Sequence, residues 1–168
     1  MVPQSPLEVL RSVPILSNVP ESDLIALAQA SRERSYPAGQ VILRQDAPGD
    51  AMYVVIEGRV KVVLIGEDGR EVILSVLGPG AVFGEMALLD DAPRSAHVIA
   101  MTQCHVMTLY RGAFHERLRA SPDLCLAMLA ALSSRLRLAD ERIRALSLLD
   151  VNGRVAHLLL QQSAEAGT

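Results

Sequence analysis

The chain has 168 residues, half of them apolar, with 3% aromatic residues, no Trp and a formal net charge of −3. That length suits one domain with a sizeable core and a small appendage, and the slight acidity argues against nucleic-acid binding by this stretch alone. No apolar run approaches the roughly 18 residues needed to cross a bilayer, and MVPQSPLEVL lacks the basic and apolar regions of a signal peptide, so a cytoplasmic location is expected.

With so few aromatics the core must be aliphatic. Cys104 and Cys125 sit in apolar stretches and read as small buried hydrophobes, not as a disulfide framework. Two short helices are expected near the N-terminus. SPLEVLRSV (residues 5–13) opens with Ser5 as a cap and Pro6 at the first helical position. PESDLIALAQAS (residues 20–31) carries a helical stripe of Leu24, Ile25, Leu27 and Ala28.

Between residues 36 and 110 the texture changes. The runs QVILRQ, AMYVVIEG, RVKVVLIG, EVILSVLG, SAHVIAM and CHVMTLY are rich in strand formers, and PAG, APGD, EG, GEDG and GPG separate them. Short strands at that spacing predict a sandwich, barrel or roll. IGEDGRE predicts a hairpin, and Gly58, Gly66, Gly69, Gly78 and Gly80 are expected to take positive φ at the corners.

After Tyr110 the pattern is helical. RGAFHERLRA predicts a short helix. A long one follows over residues 121–149, with Ser121 as cap, Pro122 at its first position and Asp123 at the positive end of the dipole. Leu129, Leu132, Leu136, Ala139, Ile143 and Leu146 alternate in steps of three and four, the a/d seam of a coiled coil. The stripe can pack on the chain's own sheet, but such a helix, about 40 Å long, overreaches a small roll, so the seam favours a homodimer. DVNGRVAHLLLQQSAEAGT then begins another helix with Asp150 as N-cap.

The loop FGEMALLDDAPRS (residues 83–95) is the candidate site. Gly84 lets backbone approach a ligand closely, and EMALL predicts one helical turn whose free N–H groups suit a phosphate. Arg94 adds a planar donor fork and Ser95 a hydroxyl. Glu85 is an acceptor that phosphate would repel, so a neighbouring hydroxyl such as that of ribose suits it. A cyclic nucleotide, with one negative charge, fits a site with one Arg and no metal ligands. The competing reading is a structural loop in which Arg94 pairs with Asp90 or Asp91 and Glu85 caps a turn.

FGEMALLDDAPRSAHVIA resembles the phosphate-binding cassette of cyclic-nucleotide-binding domains, and residues 41–80 resemble the β-roll that precedes it. LLDVNGRVAHLLL resembles the start of the DNA-binding domain in the cyclic AMP receptor protein (CRP/FNR) family of bacterial transcription regulators. The resemblance runs from about residue 8 to 165. It implies a mainly β fold with flanking helices: a jelly-roll-like β-roll over residues 1–120, a dimerisation helix over 121–149, and the start of a truncated DNA-binding domain at 150–168. By resemblance, the backbone of Gly84, Glu85, Met86 and Ala87 lines the ligand, with amides from Gly84 and Ala87. Arg94 and Ser95 hold the phosphate, Glu85 the ribose hydroxyl, and Arg135, Ala139 and Asp140 of the long helix reach the pocket. Cyclic-AMP-binding members typically carry hydroxyl residues at the last two positions. Here Ala and Asp stand there, which leaves cyclic GMP open beside cyclic AMP.

The resulting expectation is the cyclic-nucleotide-sensing, dimerising part of a transcription regulator, reaching DNA only through a domain missing from this chain. It is not an enzyme, has no membrane association, and needs no metal or other cofactor beyond its ligand. No nucleophile–base pair or metal-ligand spacing appears in the sequence. The alternatives are an effector-independent regulator, or a regulatory module of an enzyme or channel responding to cyclic GMP or a cyclic dinucleotide.

Overall fold

The computed structural model describes residues 5–17, 19–66 and 68–148. The expected start of a DNA-binding domain at residues 150–168 lies outside the described residues. The chain divides into two units, residues 1–127 and 128–168.

In the first unit the N-terminal helices form as their caps dictate. Helix α1 (Pro6–Ser12) closes a full capping box, with Ser5 and Glu8 each bonding the other's backbone N–H. A single 3₁₀ turn (Pro14–Leu16), absent from the sequence reading, leads to α2 (Glu21–Ala30).

Eight strands follow: β1 (Arg32–Tyr36), β2 (Val41–Leu43), β3 (Ala51–Glu57), β4 (Val60–Ile65), β5 (Glu71–Leu77), β6 (Val82–Phe83), β7 (His97–Ala100) and β8 (Cys104–Tyr110). They form two antiparallel four-stranded sheets, ordered β1-β8-β3-β6 and β2-β7-β4-β5. Non-sequential neighbours make this a roll, as expected. All six predicted strand runs hold strands, and IGEDGRE closes the β4–β5 hairpin through Gly66 N–H to the Arg70 carbonyl at 2.9 Å.

Strand β1 lies outside the six expected strand runs, between the second expected helix and the first of those runs. RERSY has no apolar alternation, and its residues are exposed up to Tyr36. It is an edge strand held by its ladder to β8, from Arg32 opposite Thr108 to Tyr36 opposite Cys104, and charge suits an edge. Gly66 and Gly78 do not take positive φ. Gly58, Gly69 and Gly80 do, together with Gly39 and Gly84.

Between the sheets lies an aliphatic core of Leu43, Val55, Val60, Val98, Ala100 and Val106, with Cys104 fully buried among them. Cys104 meets its expectation, whereas Cys125 is only half-buried, and both thiols are free. Tyr53 and Phe83, paired across β3 and β6, stack at 5.1 Å. Met52, Val54, Met107 and Leu109 on the opposite face of β3 and β8 are also buried, where α2 and α4 (Arg111–Ala120) pack on the sheet.

Helix α5 (Pro122–Leu148) follows one residue after α4, and Ser121 caps it through Oγ to Leu124 N–H at 3.2 Å. In the second unit Leu129, Leu136 and Ile143 are about 60% exposed. Leu132 is half-buried and Ala139 exposed.

Gly58 illustrates how tightly the roll turns. It sits at φ +88°, and a Cβ there would stand 2.3 Å from the Gln103 carbonyl oxygen, whereas a Cβ at Gly78 would meet nothing within 4 Å. Gly58→Ala should therefore cost about 1–3 kcal/mol or more, and Gly78→Ala less than about 1 kcal/mol. Urea unfolding of the two variants checks the contrast.

Candidate functional site

The loop between β6 and β7 contains the expected helical turn, α3 (Met86–Leu89), with Glu85 at its N-cap. Gly84 enters it at φ +78°. Ala87 and Leu88 are buried, Met86 half-exposed, and Glu85 only 3% exposed despite its charge. Ser95 is exposed, with its hydroxyl 4.0 Å from the Met86 sulfur.

Arg94 is 5% exposed. Its Nη1 donates to the Gly84 carbonyl at 2.5 Å and its Nη2 to the Ala51 carbonyl at 2.6 Å. The pairing with Asp90 or Asp91, left open by the sequence, does not form. Asp91 instead pairs with Arg111, and Asp90 Oδ1 accepts from Ala92 N–H. Burial lowers the pKa of the Arg94 guanidinium, while Tyr53, Asp50 and Glu85 nearby oppose that shift. A guanidinium has five N–H groups, so bonding two carbonyls leaves donors for an anion.

The Arg94 backbone is fixed as well. Its N–H donates to the Ala47 carbonyl, and its carbonyl accepts from Asp46 N–H, both at 2.9 Å. The β2–β3 loop thus runs alongside residue 94. Within that loop Gly49 has no room for a side chain. A Cβ there would stand 2.6 Å from the Ala87 Cβ and 2.8 Å from the Arg94 Cζ. A Cβ at Gly84 would stand 2.7 Å from the Arg94 Nη1. The guanidinium therefore occupies a slot that two glycines keep open.

Gly84, Glu85, Met86, Ala87, Arg94 and Ser95 are thus brought together by one loop. Arg135, Ala139 and Asp140 lie on α5 in the second unit, where all three are exposed. Sequence reasoning did not single out Gly49 or Ala51. APGD was read only as a turn, and a glycine required for space, not for φ, leaves no local mark. Arg111 was read only as the first residue of a helix, although it also holds the cassette. Among the described residues no group of three or more His, Cys, Asp or Glu is arranged to hold a metal ion, and no helix is long and apolar enough to cross a membrane.

A buried arginine thus stands against the start of a helical turn, on a loop of an antiparallel roll. The family model of the cyclic nucleotide-binding domain matches residues 33–121. A CRP-like cAMP-activated global transcriptional regulator of Mycobacterium tuberculosis is 32% identical over 161 residues, covering 96% of this chain and 72% of that protein. The crystal structure of the Thermus thermophilus catabolite activator protein is similar at TM-score 0.71 and 34% identity, over 80% of this chain and 63% of that one. The regulatory domain of Toxoplasma gondii PKA, crystallised with cAMP, is similar at TM-score 0.68 and 29% identity, over 76% of this chain and 49% of that one. The chain belongs to the CRP/FNR family and carries its cyclic nucleotide-binding domain.

The slot is testable without ligand. Gly49→Ala should push Ala87 and the Arg94 guanidinium apart and destabilise the fold by about 1–3 kcal/mol, as overpacking does. Gly112→Ala, on α4 with nothing within 4 Å of its Cβ, should be neutral or stabilise by up to about 1 kcal/mol. Chemical denaturation of both variants decides it.

Proposed function

We propose that this chain is the ligand-sensing and dimerising part of a cytoplasmic transcription regulator, and that it binds a cyclic mononucleotide, cyclic AMP before cyclic GMP. It acts by binding and not as an enzyme. The observation that carries this reading is the buried Arg94, fixed by backbone on both sides and facing the Gly84–Ala87 turn. A cyclic phosphate carries one charge. Arg94 meets it with its remaining donors, Ser95 adds a hydroxyl, and the amides of Gly84 and Ala87 complete the cradle. Glu85 at the N-cap takes the ribose hydroxyl. Arg135, Ala139 and Asp140 are proposed as base contacts on the family resemblance alone. Asp140 accepts only, so it bonds an amino or ring N–H of the base.

Cyclic AMP is favoured because the Mycobacterium tuberculosis relative is described as cAMP-activated. The Toxoplasma likeness supports a second reading, the regulatory module of an enzyme. The family resemblance of LLDVNGRVAHLLL at residues 148–160 favours the regulator. The DNA reader of such a regulator is the helix-turn-helix that the family resemblance implies.

The homodimer rests on apolar surface. Leu129, Leu136 and Ile143 on α5 are exposed, and so are Val72, Ile73, Leu74 and Val76 on β5. Exposed apolar residues grouped on one element mark interaction surfaces, and the three-four spacing on α5 is that of paired helices.

Arg94→Ala should weaken binding of cyclic AMP by about tenfold to a hundredfold, the effect of losing a charge-assisted bond. Arg94→Lys should restore only part, since the fork is lost. Calorimetric titration reads both, with unfolding midpoints followed in parallel. Unchanged affinity in a folded Arg94→Ala protein would remove the phosphate from this site. The parent should sediment as a dimer at micromolar concentration, and Leu132→Asp with Leu136→Asp should make it monomeric by placing charges in the seam.

A further inference from the structure

Helix α3 is a single turn and cannot support itself, because so short a helix never repays its nucleation. Its last carbonyls also lack helical partners. Asp90 N–H takes the Met86 carbonyl at 3.1 Å. The next two carbonyls go to another helix. Arg111 Nη2 donates to the Ala87 carbonyl at 2.6 Å, and His115 Nε2 donates to the Leu88 carbonyl at 2.5 Å. Arg111 and His115 stand four residues apart at the start of α4, and so share one face. A cation at a helix C-terminus is favourable in itself.

Arg111 does more than cap. The same Nη2 donates to the Gly49 carbonyl at 2.5 Å, Nη1 pairs with the Asp91 carboxylate, and the Arg111 backbone N–H donates to the Asp50 carbonyl at 2.7 Å. Asp91 is held at φ +56°. Gly49 is also the residue where a Cβ would stand 2.8 Å from the Arg94 Cζ. One side chain on α4 thus grips the end of α3 and the loop that seats Arg94. Phe114, 1% exposed, anchors α4 independently of this grip.

We infer that Arg111 and His115 are positioning residues for the cyclic-nucleotide site. They hold the C-terminal end of α3 so that the amides of Gly84–Ala87 face the phosphate together with Arg94. Through them a shift of the cassette on ligand binding is transmitted to α4, which leads through Ser121 into α5. The inference deepens the ligand reading above and rests on it, but the grip itself is measurable without ligand.

The test uses the 168-residue chain and four variants: Arg111→Met, Arg111→Lys, His115→Leu and His115→Gln. Without ligand, hydrogen exchange at residues 86–92 should accelerate in Arg111→Met and His115→Leu, while the unfolding midpoint changes little. His115→Gln keeps a donor at similar reach and should restore protection. With cyclic AMP, Arg111→Met should bind about tenfold more weakly, as expected for bonds to a charged group lost from the support of the site. Arg111→Lys should recover part of this. At saturating cyclic AMP, the ligand-dependent change in exchange over residues 111–120 should be present in the parent and lost in both donor-free variants. That loss distinguishes transmission from mere support. If the parent binds neither cyclic AMP nor cyclic GMP, the ligand reading fails, and exchange at residues 86–92 alone judges the grip. Unchanged exchange there, or equal affinity and an undiminished response over residues 111–120 in folded variants, overturns the inference. Should Arg111→Met fail to fold, the His115→Leu and His115→Gln pair decides by the same measurements.

Discussion

The site depends on one buried guanidinium. Withdrawing an ion from water costs several kcal/mol even after the protein relaxes, by general estimates about that size for each ion. Arg94 offsets this with two bonds to backbone carbonyls, Gly84 and Ala51, which lie at the same end of the paired strands β3 and β6. Carbonyls carry partial charge only. The positive charge is therefore stabilised but not neutralised, and it stays available to an anion. A carboxylate partner would have closed the site. The pairing of Asp91 with Arg111 instead of Arg94 keeps the two functions apart.

This arrangement constrains what surrounds it. A flat, planar group needs flat neighbours, and Gly49 and Gly84 supply them for different reasons. Gly84 needs both its positive φ and its missing Cβ, whereas Gly49 needs only the space. The β2–β3 loop then becomes a hub. It bonds residue 94 through Asp46 and Ala47, touches the guanidinium through Gly49, and meets α4 through Asp50. The non-sequential order of the sheets makes this possible, because β3 lies between β6 and β8 and brings the cassette beside the start of α4.

The exposed apolar surfaces fall into the same scheme. The inner faces of the sheets and the face under α2 and α4 are filled, so the β4–β5 hairpin and the α5 stripe are not short of core for lack of folding. Their side chains are apolar beyond what the described fold buries.

Much of this was determined by the sequence itself. Caps, turn residues and periodicity act over a few residues, so Ser5–Glu8, the IGEDGRE hairpin, the helical turn after Gly84 and the start of α5 at Ser121 were all legible. So was the membership of Gly84, Glu85, Ala87, Arg94 and Ser95 in one loop, since they are neighbours along the chain. Tertiary structure decided the rest. Strand β1 exists only because β8 offers a ladder to a segment with no strand pattern of its own. Arg94 chose two carbonyls over the nearby acids because the roll brings Ala51, 43 residues away, to its fork. Arg111 and Gly49 acquired their places in the cassette only when distant segments met. A side chain's partners across such distances depend on where the backbone closes, and no local spacing in the sequence encodes that.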